Sequence, residues 1–508
     1  MPDQLNLTTY FLDSAVADGK GERAALVGPH GRTTYGELAA LTNRIGNVLR
    51  DLGVRQGDRV LLALSDSVEF VAAWYAAQKI GAVTAEVYTF LTAKDYAHFL
   101  TYTDARVVIA DPVTLDRLRE ADTAGRAVLV VNAADLRPNE HDFTTMVASA
   151  SPELAAAPTR RDDEAVWKFT TGSTGAPKAC VHSNRSPVLS HDWYARGVLG
   201  IDADDVILPV PKLFFGYARD LAALYPFGVG AAGVVFADRS TPERIFDLIA
   251  EHRPTVLVNV PTMMSAMVAH PSAGKQDLSC LRLCTSAGEA LPAELRRKWD
   301  EAFGVEVIDG IGSSEAYHIY ISNRPGEPHT SSVGVLVPGY TATVVDEDGE
   351  TVADSEIGTL EVTGATAALR YHGDETKSSQ TFPRDDTVHT GDLFSRDPDG
   401  SFHYRGRADD LLKVSGVWVA PAEIEHCLIG HPQVVECAVL GHEIDGLTRS
   451  YAFVVSQADL SSDELRAYVR ERLSPHKTPD RVIFVEALPR TVNGKLNRRA
   501  LRSMDVTG

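Results

Sequence analysis

The stretch Phe169-Thr-Thr-Gly-Ser-Thr-Gly-Ala-Pro-Lys178 holds two glycines, four hydroxyl residues and one lysine in ten positions. Such a segment offers little to a hydrophobic core and much to an anion. Glycine lets backbone approach closely, successive N–H groups and hydroxyls donate hydrogen bonds, and a lysine adds a point charge. Thr171, Gly172, Ser173, Thr174, Gly175 and Lys178 are therefore candidate phosphate ligands, and a nucleoside triphosphate is the ligand implied. The pattern is not that of a P-loop, because Gly172 and Gly175 are too close together and no Ser/Thr follows Lys178. A Ser/Gly-rich surface loop is the competing reading, and only partners elsewhere in the chain can decide between them.

Outward from this loop the chain alternates helices and apolar strands. A helix over residues 34–52 opens with a capping box, Thr34 and Glu37. Residues 59–64, 105–110 and 127–131 read as strands around a helix at 69–80, the alternation of parallel sheets covered by helices. Residues 148–159, rich in Ala, Ser and Pro, read as a connector leading to the loop. Beyond it, 206–211, 255–260 and 281–284 repeat the strand pattern, and Thr241-Pro242 starts a helix. The segment Gly228-Val-Gly-Ala-Ala-Gly233 fits the dinucleotide fingerprint by letter, but it leads into an apolar strand at 234–237 instead of opening a helix. It reads as a closely packed turn. From Tyr340 short strands and turn signals such as Asp346-Glu-Asp-Gly349 imply a small antiparallel, barrel-like region. The last hundred residues, with a helix from Pro421, strands at 436–440 and 451–455 and a helix capped by Ser461 and Glu464, read as a separate α+β unit.

With 508 residues, 44% of them hydrophobic, the chain is long enough for more than one core. Its formal charge of -20 argues against nucleic acid or an anionic membrane as a partner of the whole surface. Five cysteines without a CxxC pair read as reduced thiols, and the absence of a leader or a long apolar run as a cytoplasmic location.

The loop resembles the phosphate-loop signature of the adenylate-forming superfamily. Further matches follow in that family's order: Ser286-Ala-Gly-Glu289, Asp309-Gly-Ile-Gly-Ser-Ser-Glu315, Thr390-Gly-Asp392, Gly406-Arg-Ala-Asp-Asp410 and Asn493-Gly-Lys495. Within it the chain looks most like benzoate-CoA and related aryl-CoA ligases, through Lys212-Leu-Phe-Phe215, the segment 284–292 and Leu412-Lys-Val-Ser-Gly416. The resemblance implies an α/β fold: a large N-terminal adenylation domain, 1–408, of two parallel-type sheet subdomains plus a small β-barrel-like region, and a mobile α+β C-terminal domain, 409–508. It implies ATP, Mg²⁺ and coenzyme A, with an aromatic acid as substrate and a homodimer left open.

The same resemblance implies residue roles. Lys495 is the catalytic lysine, Glu315 the magnesium carboxylate beside Ser314, Asp392 the ribose acceptor and Arg407 its neighbour. Gly288, Glu289, Asp309, Gly310, Ile311 and Tyr404 surround adenine. Phe214, Gly216, Tyr217, His182, Ser286, Gly312, His318 and Ile319 form the acyl pocket, His182 also counting with Lys413 among the catalytic residues. Asp409 is the hinge, and Ser415, Gly416, Val417 and Trp418 line the thiol channel.

Three departures stand out. Tyr217-Ala-Arg-Asp-Leu221 replaces a Tyr-Gly-Leu-Gly-Asn pattern, Ala85-Glu86-Val-Tyr88 replaces one with Pro-Val-Asn, and Ala179-Cys180 follows Lys178. Charge beside an aryl pocket makes Arg219 a candidate for a polar ring substituent if it faces inward and a solvated charge if it faces outward; an extended segment would point Arg219 and Asp220 to opposite faces. The departures also keep other acceptors open: an amine, or adenylated nitrite passed to an arylamine as in diazotases. A nucleotide-sensing binding protein fits less well, since Lys495, Glu315 and Asp392 are all present.

Overall fold

The computed structural model describes residues 1–171, 177–327, 332–414, 417–444, 447–456, 460–490 and 496–504. Two large sheets organise the first 340 or so residues. In the eight-stranded sheet the order is Arg370–Tyr371, Pro177–Ser183, Glu164–Thr171, Val83–Glu86, Arg59–Ala63, Val107–Ala110, Ala127–Val130 and Glu140–Asp142. From Glu164–Thr171 onward these strands run parallel, and Val83–Glu86 and Val107–Ala110 are buried at every residue, as a sheet covered on both faces requires. The nine-stranded sheet has a parallel centre of Val307–Gly312, Leu283–Ser286, Val256–Asn259, Val206–Pro209 and Ala232–Val234.

The capping box at the head of the helix Tyr35–Asp51 is present: Glu37 N–H donates to Thr34 Oγ1 at 3.1 Å and Thr34 N–H to Glu37 Oε2 at 2.8 Å. Two strands are displaced by two residues from their expected places. Leu283–Ser286 takes the place of 281–284, and Ala232–Val234 that of 234–237. The second shift follows from packing. A Cβ on Gly233 would lie 1.8 Å from the Ala222 carbonyl oxygen, so the strand forms where a glycine lets the chain press against the helical turn Asp220–Leu224. The fingerprint-like glycines are thus a close-packing device.

The antiparallel region is a four-stranded sheet in the order Thr341–Val345, Gly358–Thr363, Thr387–Arg396, Phe402–Arg407. After the turn Ala408–Asp410 comes a two-stranded ladder, then a three-stranded sheet, Val434–Ile444, Leu447–Ser456 and Arg481–Phe484, covered by the helices Pro421–Ile429 and Ser462–Arg470. All five cysteines are free, with Cys180, Cys284 and Cys437 buried. Among the described residues no helix is long and apolar enough to cross a membrane.

Arg219 corrects the sequence expectation. The segment is helical, Gly216–Arg219 running into Asp220–Leu224, and Arg219 is neither solvated nor free for a ligand. It is 2% exposed, donates from Nε (2.9 Å) and Nη2 (2.6 Å) to Asp220 Oδ1, and holds Glu86 Oε1 2.8 Å from Nη1. On a helix successive side chains point roughly 100° apart and not to opposite faces as on a strand, so the long Arg219 side chain can reach the neighbouring carboxylate. The three charged departures from the family pattern, Glu86, Arg219 and Asp220, are therefore partners. Burial works against the Arg219 charge, but Asp220 and Glu86 more than restore it and hold its pKa well above the ordinary value. Replacing Arg219 by Leu leaves buried Glu86 without its cationic partner and Asp220 with Lys168 alone. We expect Arg219→Leu to lose about 3–5 kcal/mol of stability in denaturant titration, without selectivity between substituted and plain benzoates. A loss below about 0.5 kcal/mol would show the network to be dispensable.

Candidate active site

A cleft of about 1980 Å³ opens where the large sheets, the antiparallel sheet and the C-terminal helix Pro421–Ile429 meet. The antiparallel strands that flank the expected phosphate loop, Glu164–Thr171 and Pro177–Ser183, pair Thr170 with Lys178 and Thr171 with Pro177, and Thr170 and Lys178 line the cleft. Gly172, Ser173, Thr174 and Gly175 lie outside the described residues, as does the side chain of Thr171. Lys178 lines the cleft and is held 2.8 Å from Asp374 Oδ2, a partner that sequence reading did not find.

The strand Val307–Gly312 delivers the next motif. Asp309, Gly310, Ile311 and Gly312 line the cleft with Gly288 and Glu289, which follow the neighbouring strand Leu283–Ser286. Gly288 has φ +85, the left-handed region where a side chain is disfavoured, at the point where the chain turns out of that strand. Glu289 Oε2 accepts from Thr262 N–H (3.2 Å) and from its hydroxyl (2.7 Å). Burial pushes the Asp309 carboxyl up to about 7, with Arg296 opposing.

The turn after this strand carries Ser314 and Glu315. Its backbone is pinned from several sides: Ser314 O accepts from His182 Nε2 at 2.7 Å, Glu315 O from Ala368 N–H at 2.8 Å, and Ala316 O from Thr366 Oγ1 at 2.9 Å. Glu315 Oε1 accepts from the Tyr371 hydroxyl at 2.7 Å. Burial, and then the Glu315 charge, raise the Tyr371 pKa far above its ordinary value, so it stays a phenol and a donor. Tyr371 was not singled out from sequence; a tyrosine in a two-residue strand, Arg370–Tyr371, gives no signal of its own. His182 is fully buried, and burial with Lys168 nearby lowers its pKa to about 3, so a neutral ring donates to Ser314.

Asp392 and Arg407 face each other across the antiparallel ladder. Arg407 Nη1 lies 3.2 Å from Asp392 Oδ1 and donates to Thr390 O at 2.9 Å, and Tyr404 lines the same wall. Asp409 lies in the turn Ala408–Asp410, its Oδ2 3.8 Å from Arg407 Nη2.

The acyl-pocket candidates lie behind the turn, outside the walls of the open cleft except for Gly312. The Tyr217 hydroxyl is 2.6 Å from Thr285 Oγ1, and His318 Nε2 is 3.4 Å from Tyr217 O, its ring also held neutral by burial with a pKa lowered to about 3. Ser286 and Ile319 are buried in the strands on either side of Val307–Gly312, and Phe214 packs among Tyr88, Phe90 and Phe215 with ring centroids 5.2, 5.7 and 4.9 Å away. Gly216 stands against Lys168, a residue not marked in advance although a lysine inside the apolar run Val166-Trp167-Lys168-Phe169 is a signal.

Lys495, Ser415 and Gly416 lie outside the described residues, and of Lys413, Val417 and Trp418 only the backbone is described, in the ladder pairing Lys413 with Trp418 and Val414 with Val417. Arg490, just ahead of the Asn493-Gly-Lys495 motif, has Nη1 4.0 Å from Glu289 Oε1 at the cleft. Among the described residues no group of three or more His, Cys, Asp or Glu could hold a metal unaided. Glu315 as a lone carboxylate suits Mg²⁺, which completes its shell with phosphate oxygens and water.

Comparison with known proteins shows the family to which the chain belongs. The model of the AMP-binding enzyme family matches residues 13–372, and that of the AMP-binding enzyme C-terminal domain residues 423–495. A benzoate–CoA ligase of Thauera aromatica is 37% identical over 99% of this chain and 97% of its own. A 4-hydroxybenzoate–CoA/benzoate–CoA ligase of Rhodopseudomonas palustris is 36% identical over 99% and 95%. Among solved structures, the anthranilate CoA ligase AuaEII in complex with anthranoyl-AMP superposes with a TM-score of 0.93 at 34% identity, over 99% of this chain and 98% of the other. The chain belongs to the AMP-binding, adenylate-forming enzymes, with aryl-CoA ligases among its relatives.

Proposed function

We propose that this chain condenses an aromatic carboxylic acid, a substituted benzoate or cinnamate, with ATP to acyl-AMP and pyrophosphate, then transfers the acyl group to coenzyme A with release of AMP. The observation that carries this reading is the convergence of Lys178, Glu315, Asp392 and Arg407 on one cleft beside a buried set of aromatic and small residues. A carboxylate must approach the α-phosphate of ATP against like charge, so cations have to gather at that point. Lys178 and the loop ahead of it hold phosphates; Asp392 accepts from the ribose hydroxyls with Arg407 beside it; the backbone of 288–289 and 309–311 packs on adenine. Mg²⁺, held by Glu315 and phosphate oxygens, would neutralise the departing pyrophosphate. Tyr371 aims that carboxylate, and His182 aligns the turn through its bond to the Ser314 carbonyl. The acid's ring lies among Gly216, Tyr217, His318 and Ile319, where aromatic faces and small residues suit a flat group.

Lys495 is the cation that bridges acyl and phosphate oxygens in the first transition state. The Arg490–Glu289 contact supports a closure in which the segment around it reaches the nucleotide. In this reading residues 409–508 form the unit that moves, Asp409 being its hinge, and a second closure presents Lys413 and 415–418 to the thiol. The enzyme is cytoplasmic, and its assembly, monomer or homodimer, does not enter the mechanism.

Pyrophosphate release measured with a panel of aryl acids, with and without coenzyme A and amines, tests the reading. Acid-dependent release with thioester product supports it; amide or diazonium product without coenzyme A would replace it. Lys495→Ala should cut adenylation by about 10²–10³ while thioester formation from supplied acyl-AMP stays within about threefold, since the charge acts in the first transition state alone. Equal losses in both steps would contradict that role. Asp409→Pro, which fixes φ at the hinge, should do the reverse and lower thioester formation by at least about tenfold with adenylation kept. Unchanged thioester formation would place the hinge elsewhere.

A further inference from the structure

Lys168 occupies a position that the reaction scheme above does not use. It stands in the strand Glu164–Thr171 that leads to the phosphate loop, its side chain is 6% exposed, and it touches two separate pieces of the chain, the helical segment from Gly216 and the turn at Tyr317. Nζ donates to Asp220 Oδ2 at 2.6 Å and to the Tyr317 carbonyl at 2.6 Å, and sits 3.5 Å from the Tyr317 ring centroid. A Cβ on Gly216 would come within 2.8 Å of its Cε and 2.9 Å of its Nζ, so glycine is needed there for the lysine to pass.

Tyr317 explains what this contact does. It is 2% exposed and has φ +76, left-handed backbone that a non-glycine residue adopts only when its surroundings hold it. It lies between Glu315, which lines the cleft, and His318, which faces Tyr217. The groups around the ammonium balance: Asp220 and Glu86 offset Lys168 and Arg219, while His182 and His318 are neutral rings. Burial lowers the lysine to about 8, with Asp220 opposing, which leaves it charged at neutral pH.

We infer that Lys168 is a positioning residue of the acyl half-site: it clamps the strained Tyr317 turn to the helix Gly216–Arg219 and its continuation, and so sets the gap into which the substrate ring enters. This rests on the aryl-acid reading for its kinetic consequence but not for its structural one, and the test keeps the two apart. In Lys168→Met, hydrogen–deuterium exchange of a peptide spanning 313–318, where Ser313 and Ala316 N–H are bonded within the turn, should quicken about tenfold, with 256–259 unchanged. In pyrophosphate exchange the KM for the best aryl acid should rise about tenfold while that for ATP stays within about twofold. Unchanged exchange of 313–318, or KM values for acid and ATP that move together, would overturn the clamp. If the wild-type protein used no aryl acid, the functional reading would fall, and hydrogen exchange alone would decide on Lys168. Should Lys168→Met not fold, Gly216→Ala, which keeps the lysine but displaces its end, decides through hydrogen exchange alone: quickened exchange of 313–318 with 256–259 unchanged supports the clamp, and unchanged exchange of 313–318, or a second failure to fold, overturns it.

Discussion

Four buried charges, Glu86, Arg219, Asp220 and Lys168, hold the two large sheets against each other at the active site. Glu86 and Lys168 stand on neighbouring strands of the eight-stranded sheet; Arg219 and Asp220 lie on the helical segment over the nine-stranded one. Trp74 Nε1 donates to Glu86 Oε1 at 2.6 Å, and its ring lies 5.2 Å from the Arg219 guanidinium, which ties in the helix Val68–Lys79 as well. Taking four charges out of water costs several kcal/mol for each, and mutual attraction compensates only when the geometry is close and complete. The distances of 2.6–2.9 Å meet that demand. Such a network does little for net stability, but it permits few arrangements, and precision at the acyl site follows from that restriction.

The nucleotide half of the site depends on backbone more than on side chains. Strands ending at Ser286 and Gly312 bring their following turns to one cleft, the place where parallel sheets present ligands. The whole protein carries a formal charge of -20, and the cleft lining is itself mixed in sign, with carboxylates such as Glu306, Asp392 and Asp410 beside Lys178, Arg296 and Arg407. A polyanionic nucleotide would therefore depend on the few cations that meet it directly and not on the general field of the surface.

Part of this was legible in the sequence because it is local. The Thr34 capping box and the Thr241-Pro242 helix start each depend on residues a few positions apart, whereas the hairpin flanking the phosphate loop was not read. Motif order found the residues that line the cleft, from Gly288 to Arg407. What was not legible depends on distant pairing. The fate of Arg219 turned on whether its backbone is helical and on Glu86, far away in the chain; the lysine in the strand before the loop had its partners at Asp220 and Tyr317; and Tyr371 gains meaning only once a two-residue strand lays it beside Glu315. The two-residue strand shifts at 232–234 and 283–286 have the same origin, since glycine packing and neighbouring strands, not local propensity, set where each ladder begins.

We propose that the substrate ring and the nucleotide meet at the turn 313–318, with the charged network directly behind it. The most direct measurement is a crystal structure with a non-hydrolysable aroyl-adenylate analogue. The claim predicts the ring against Gly216, Tyr217 and His318, the ribose on Asp392, and the Lys168 bonds to Asp220 and the Tyr317 carbonyl intact. A ring lying in the open cleft, or the Tyr317 carbonyl released from Lys168 to make room for it, would contradict the account.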